Sequence, residues 1–184
     1  MGALIIVAVI LVLFILFVVG IYNSLIRLRN QVDNSWSQID VQLKRRHDLI
    51  PNLVETAKGY MQHERGTFEA ITEARSRAMG AGTVSEAAKA EGALGEALSK
   101  FMLVVENYPD LKANQNFLSV QEELTSTENK ISFARQNYND QVLFFNNKIQ
   151  MFPSNIVANT FNFNRRDFFE IEKAAEREVP KVSF

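Results

Sequence analysis

The sequence predicts an all-α protein in which an N-terminal transmembrane helix continues into an antiparallel bundle of three long helices plus a short C-terminal helix. Three observations support this. The first 26 residues carry no charged side chain. Apolar residues then recur at every third or fourth position, as on one face of a helix. No segment alternates with the period of two that a half-buried strand requires.

The N-terminal segment is long and apolar enough to cross a bilayer. Ala3 to Val19 is an unbroken apolar run, and a spanning helix needs roughly 20 such residues. A cleaved signal peptide is the alternative, but no basic residue precedes the run and Val18-Val19-Gly20 is a poor cleavage site. Arg27 and Arg29 follow the run, so the positive-inside rule predicts a cytoplasmic bundle and a short N-terminus outside.

Two apolar rows at heptad spacing predict that the membrane helix continues into the bundle. Heptad spacing is typical of coiled-coil packing. No glycine or proline lies between Gly20 and Pro51, and a helix that tolerates Gly59 and Gly66 would reach Met79. The rows are Leu25, Val32, Ile39, Leu53 and Tyr60, and Trp36, Leu43, Ile50, Ala57, Ile71 and Ala78.

Glycines at 80 and 82 predict the end of this first helical stretch, since glycine is common just after a helix C-terminus. Thr83 or Ser85 is expected to cap the second long helix, with Glu86 in its first turn. That helix is predicted to end near Tyr108-Pro109.

The third long helix has the most regular pattern, and it is predicted to end at Phe152-Pro153-Ser154-Asn155. A short amphipathic helix is predicted from Asp167 to Glu178. The chain thus divides into an anchor (1–24), a long-helix bundle (25–160) and a phenylalanine-rich helix and tail (161–184). The heptad row of the third helix is Phe117, Leu124, Ile131, Tyr138, Phe145 and Phe152.

Composition argues against several classes of function. With 20 basic and 21 acidic residues, the chain lacks the basic surplus that nucleic-acid binding needs. It has no cysteine, so thiol chemistry and disulfides are excluded. His63-Glu64 lacks the second histidine four residues on that a zinc helix requires. No nucleophile elbow or phosphate loop is present. We therefore predict no catalytic residue, metal ligand or cofactor.

Several multi-residue motifs, in order along the chain, resemble those of the LemA family. One departure is Asn146-Asn147, where the family more often has tyrosine before asparagine. The resemblance implies a single-pass protein of the bacterial inner membrane with an all-α bundle, and it brings no agreed catalytic residues. The motifs are Arg46–Val54 (RHDLIPNLV), Lys58–Tyr60, His63–Glu64, Tyr108–Asn114 (YPDLKAN), Phe152–Asn155 (FPSN) and Pro180–Phe184 (PKVSF).

Pro51 is predicted to kink its helix, because it removes a backbone hydrogen bond and clashes with the carbonyl of His47. In one interpretation the bend lets the helix wrap around its bundle. In the other, the freed carbonyl joins Arg46, Asp48 and Asn52 in a binding site or interface. We favour the bend.

Arg46 stands in an apolar row where leucine is expected. A buried arginine needs a carboxylate partner, and Glu122, Glu123 and Asp140 are the candidates on the third helix. A polar layer that fixes helix register is the favoured interpretation over a ligand site.

The C-terminal part is rich in phenylalanine, with arginines among the rings. The rings are expected either to plug the open end of the bundle or to form a partner surface, since aromatic and arginine side chains are enriched in interfaces. The candidates are Phe161, Phe163, Arg165, Arg166, Phe168 and Phe169.

Three functions follow from these observations. The first is a membrane-anchored scaffold that assembles with further copies of the chain. The alternative is an adaptor that binds another membrane protein, such as a membrane protease. An enzyme is the third and least favoured. The predicted partners are therefore the lipid bilayer, further copies and, in the alternative, another membrane protein, but no nucleic acid.

Overall fold

The computed structural model describes residues 1–170, and within this range the chain is helical with short connecting turns and no strand. The all-α prediction is confirmed. The helices of the described range are α1 (Gly2–Lys58), α2 (Arg65–Met79), α3 (Val84–Val105), α4 (Pro109–Lys112), α5 (Gln115–Gln150) and α6 (Ser154–Thr160).

The chain forms two compact units, each of which contains part of α1 and part of α5. Unit 1 comprises Met1–Gln38 and Gln136–Asp167. Unit 2 comprises Ile39–Arg135 and, among the described residues, those from Phe168 onward.

In unit 1, α1 and α5 pack as an antiparallel pair. The ring of Trp36 lies 5.5 Å from that of Tyr138. Further back along α1, the guanidinium of Arg29 lies 5.5 Å from the ring of Phe163, which in turn lies 6.4 Å from Phe145, seven residues further along α5. The buried residues include the predicted heptad positions of both helices: Leu25, Val32, Tyr138 and Phe145.

Unit 2 buries a continuous hydrophobic core between the C-terminal part of α1, α2, α3, α4 and the first half of α5. The ring of Phe101 lies 6.1 Å from Phe68 and 6.4 Å from Phe117, and so links three helices. The least exposed core residues are Leu53, Ala57, Met61, Ile71, Leu94, Phe101 and Leu111.

The helix boundaries agree with the prediction at 80–83 and differ at 59–64. Helix α2 ends at Met79, and Thr83 caps α3 in a capping box with Glu86. However, α1 stops at Lys58 before Gly59, so a helix unbroken to Met79 is wrong. The intervening turn is held from elsewhere in unit 2: Tyr108 donates to Glu64 at 3.0 Å.

The C-terminal region differs from the prediction. The short helix α6 follows the Phe152–Asn155 motif directly, whereas Asp167 to Glu170 are not helical. Backbone groups there bond to α5: the carbonyl of Asp167 accepts from the Tyr138 hydroxyl at 2.8 Å. The side chain of Asn146 makes two bonds of 2.9 Å with the backbone of Arg166. These contacts hold the segment in a non-helical conformation, so the predicted helix is wrong at its start; its remainder lies outside the described residues.

Candidate functional site

A buried charged cluster in unit 2 joins α1 to α3. Arg46 Nη1 lies 3.2 Å from Glu91 Oε2 and 3.1 Å from Glu128 Oε2. His47 Nε2 donates to Glu91 Oε1 at 2.5 Å. Arg46, His47 and Glu91 are 5%, 7% and 2% exposed. The cluster thus places a shared carboxylate of α3 between two adjacent side chains of α1.

Arg46 is buried against carboxylates, but not those expected from the sequence. Glu123 instead pairs with Arg45 at the surface, and Asp140 belongs to unit 1. The partners are Glu91 on α3 and Glu128 on α5. Glu91 was missed, although it follows Ala88 by three residues and precedes Leu94 by three, which places it on the buried face of α3.

The carbonyl freed by Pro51 is occupied from within the same unit. Because proline has no N–H, the carbonyl of His47, four residues earlier, lacks its helical donor. Arg75 of α2 donates to this oxygen from Nε at 2.7 Å. Helix α1 continues through Pro51 to Lys58. Arg75, which sequence reasoning did not single out, therefore completes the backbone bonding at this position.

Asp48, Asn52 and Pro51 are exposed, so the structure separates them from the buried Arg46. A role for Asp48 and Asn52 in an interface stays a prediction. His63 is also exposed. Among residues 1–170, no group of three or more histidine or carboxylate side chains is placed to hold a metal ion.

A groove of about 860 Å³ lies in unit 2, between the end of α1 and α2. Its floor is apolar, formed by Val54, Met61 and Phe68. Charged side chains line its rim; among them Arg65 donates to Glu69 at 2.7 Å, and this bond raises the pKa of Arg65. An apolar floor with a rim of both charge signs suits the apolar face of a helical peptide segment.

Two tyrosine hydroxyls make hydrogen bonds between the turn at residues 59–64, beside this groove, and the segment at residues 108–114. Tyr108 donates to Glu64, and this hydrogen bond, reinforced by burial, raises the pKa of the Tyr108 hydroxyl. The hydroxyl of Tyr60 accepts from Asn114 at 2.9 Å. Residues of the Lys58–Tyr60, His63–Glu64 and Tyr108–Asn114 motifs therefore meet at one place in unit 2.

The C-terminal aromatic residues divide between core and surface. Phe163 and Phe169 are buried, at 8% and 0% exposure, whereas Phe161 and Phe168 are 52% and 36% exposed. Both arginines bond to other side chains at the surface of unit 1. Arg165 Nη2 donates to Gln150 at 2.7 Å, and Arg166 Nη2 donates to Asp33 at 2.9 Å. The partner surface predicted for the exposed members stays a prediction.

The N-terminal part of α1 is long and apolar enough to cross a membrane, with a mean hydropathy of 3.7 over its most apolar 18 residues. It is the one helix of the described range to meet this criterion. Only 6% of that stretch is buried against the rest of the protein. Its side chains are therefore left free to contact lipid.

Comparison with known proteins identifies relatives along nearly the whole chain. The profile of the LemA family matches residues 35–184. The chain is 26% identical over 180 residues to Protein LemA of Metamycoplasma hominis, covering 93% of this chain and 80% of that protein. It is 24% identical over 184 residues to Magnetosome protein MamQ 2 of Paramagnetospirillum magneticum (86% and 68% covered). It is 22% identical over 195 residues to Magnetosome protein MamQ of Magnetospirillum gryphiswaldense (92% and 72% covered).

Proposed function

Because the chain belongs to the LemA family, we propose that it is a membrane-anchored structural protein of the bacterial envelope that assembles with further copies of itself. The apolar part of α1 supplies the anchor. The helical units, one with a buried charged cluster and both with heptad-spaced core residues, supply the surfaces for assembly. In this proposal the protein catalyses no reaction.

Large apolar side chains on the surface of unit 2 carry the proposal. Val41 on α1, Leu103 on α3 and Phe133 on α5 are 62%, 71% and 74% exposed. Burial of apolar area drives association, so a contact between copies that covers these side chains would be favourable. Assembly side by side would cover them without changing the core.

Mass photometry of the full chain in lipid nanodiscs extracted directly from cells tests the proposal. We expect a discrete multimer for the natural chain and a shift to smaller particles for Phe133→Ser. Lys130→Ser is the matched control, because Lys130 is exposed one helical turn away on α5. Monomers of the natural chain, or equal effects of the two substitutions, would contradict self-assembly.

The groove between α1 and α2 favours a second candidate function, an adaptor that binds another membrane protein, such as a membrane protease, through an amphipathic helix. A photo-crosslinking amino acid at Thr72, which lines the groove, tests it in cells. Thr125 is the control, because both threonines are exposed and donate to a carbonyl four residues earlier. A crosslink to the same membrane protein from both sites, or from neither, would count against the adaptor.

The bundle is proposed to lie in the cytoplasm, because Arg27 and Arg29 follow the apolar stretch. Since the chain has no cysteine, Lys130→Cys provides a single reactive thiol. An impermeant maleimide should label it only after the cells are opened. Labelling in intact cells would place the bundle outside.

A further inference from the structure

We propose that the end of unit 1 beside the transmembrane stretch is a second lipid-binding surface, whose apolar side chains enter the interface of an anionic bilayer. Four residues after α5 and in or after α6 form this surface, here called the apolar tip. Its residues are Met151, Phe152, Ile156 and Phe161, which are 62%, 80%, 58% and 52% exposed. The proposal does not rest on self-assembly.

The packing of α1 against α5 sets the height of the apolar tip along α1. Trp36 and Tyr138 are in contact, and the two helices run antiparallel from there. Fourteen residues back along α1 lies Tyr22, and fourteen residues forward from Tyr138 lies Phe152. At equal rise per residue, the end of α5 at Gln150 reaches the height of Ser24, so Phe152, two residues further on, lies close to the height of Tyr22. The contact between the Tyr22 and Phe161 rings, 4.8 Å apart, agrees with this.

Tyr22 lies where α1 leaves the bilayer. Residues 1–17 are all exposed; apart from Val18, partial burial begins at Ile21 and Tyr22, and the first buried side chain is that of Leu25. A helix needs roughly 20 apolar residues to cross the hydrocarbon core, and tyrosine is enriched at the headgroups. The apolar tip therefore faces the interfacial region of the bilayer that α1 crosses.

Charge at this end of unit 1 is of one sign. No aspartate or glutamate occurs in residues 1–32 or 141–166, although the whole chain has a net charge of -1. Arg165 bonds to Gln150 at the end of α5, next to the apolar tip. Basic side chains around exposed aromatic rings are the composition of a surface that binds anionic lipid headgroups. The basic residues of these two ranges are Arg27, Arg29, Lys148 and Arg165, together with Arg166, whose charge is paired with Asp33.

A second copy of the chain is a less suitable occupant than a bilayer. In a symmetric dimer through the apolar tip, the same basic residues of both copies would face each other. Like charges at short range oppose such a contact. An anionic bilayer instead offers charge of the opposite sign at the height at which the apolar tip already lies.

Site-specific quenching in vesicles tests the proposal. The full chain, which has no cysteine of its own, is given a single thiol by Phe152→Cys, Phe144→Cys or Asn137→Cys and labelled with a small fluorophore. All three positions are exposed and lie on or just after α5, at increasing distance from Tyr22. Each protein is reconstituted at about one chain per vesicle, in phosphatidylcholine and phosphatidylglycerol containing nitroxide-labelled lipid. Phe14→Cys, within the apolar stretch, reports that the anchor is inserted.

We expect quenching at Phe152 to approach that at Phe14, to be weaker at Phe144 and to be several-fold weaker at Asn137. Equal, weak quenching at all three α5 positions would overturn the proposal. Quenching or shielding at Phe152 that appears only at high protein density would assign the apolar tip to a second copy and would also overturn it. An unquenched Phe14 would remove the anchor from the bilayer, and the proposal with it.

Discussion

Glu91 is the carboxylate on which the buried charge of unit 2 depends. It contacts both Arg46 and His47, and its side chain is 1% exposed. Removing one partner of a buried ion pair leaves the other charge without compensation. Glu128 remains as a partner for Arg46, but its side chain is 54% exposed.

We predict that Glu91→Gln lowers the free energy of unfolding by about 3 kcal/mol. Chemical denaturation in detergent, followed by circular dichroism, measures it. Glu69→Gln is the control, since its ion pair with Arg65 is exposed and should contribute no more than about 0.5 kcal/mol. Equal effects of the two substitutions would show that the buried cluster has no special role in stability.

The bond from Arg75 to the carbonyl of His47 is predicted to matter because Pro51 cannot donate there. Arg75→Met should cost about 1–2 kcal/mol in the natural chain, the usual cost of an unsatisfied buried acceptor. In a Pro51→Ala background the new amide can donate to the same carbonyl, so the cost of Arg75→Met should fall by about 1 kcal/mol. A double-mutant cycle of unfolding free energies measures this coupling, and strict additivity would refute it.

Tyr138 is expected to make unit 1 less stable as the pH becomes alkaline. Burial raises the pKa of its hydroxyl to about 12, with the nearby carboxylates of Asp167 and Asp33 adding to the shift and Arg166 opposing it. A phenol whose folded pKa lies above its unfolded value of about 10 contributes fully below pH 10, and its contribution is lost as pH rises through 12.

Tyr138→Phe should therefore remove part of the loss of stability above pH 10, while costing about 1 kcal/mol at neutral pH through the lost bond to Asp167. Denaturation of both proteins at neutral pH and at about pH 11 measures the difference. An identical dependence of stability on pH in the two proteins would mean that the pKa of Tyr138 is the same in the folded and the unfolded protein.

At the residue scale, the sequence predicted which groups require a bonding partner better than it predicted which residue is that partner. An arginine in an apolar row indicated a buried charge, and a proline in a helix indicated a freed carbonyl. Which side chain bonds to the arginine or to the carbonyl depends on which helices face each other, and the turns between the helices determine that. Local spacing places Glu91 on the buried face of α3 but does not say which helix that face meets, and no local pattern points to Arg75.

At the element scale, the capping box of α3 is the clearest local signal that the structure reproduces. The Thr83 hydroxyl accepts from the Glu86 amide at 3.2 Å, and the Glu86 carboxylate accepts from the Thr83 amide at 3.1 Å. Both bonds satisfy backbone donors that the first turn leaves free.

We predict that Thr83→Ala lowers the free energy of unfolding by about 1 kcal/mol, the usual value of an N-cap. Ser85→Ala is the matched control, because Ser85 is exposed in the first turn and is not the cap. Thermal unfolding of the two variants measures the difference. A larger effect of Ser85→Ala would indicate that Ser85, and not Thr83, caps α3.

Helix ends with local chemistry were predictable, and those fixed by distant contacts were not. Gly80 and Thr83 mark their boundary by themselves. The break after Lys58 was hidden because Tyr60 and Ile71 continue the apolar rows across it, while the turn is fixed by Tyr108 and Asn114. Helix α6 has seven residues, too few for a periodic pattern to show.

At the scale of the whole molecule, charge and hydropathy are separated along the chain. The first 26 residues are uncharged, and the first acidic side chain is Asp33. Composition alone predicted the apolar anchor, because about 20 consecutive apolar residues match the thickness of the hydrocarbon core. At the basic, aromatic end of unit 1, Phe161, Arg165 and Arg166 were predicted as candidates for a partner surface. Met151, Phe152 and Ile156 were not predicted to join them, and neither was the height of this surface beside the apolar stretch, because that depends on the packing of α1 against α5.

The most direct test of a membrane-anchored assembly is native mass spectrometry of the full chain ejected from membrane nanodiscs. One measurement reports both whether the apolar stretch is retained and how many copies associate. We predict a mass that is a whole-number multiple of the 20.9 kDa chain, with two or more copies. A single copy, or a chain shortened by its N-terminal apolar stretch, would contradict the account.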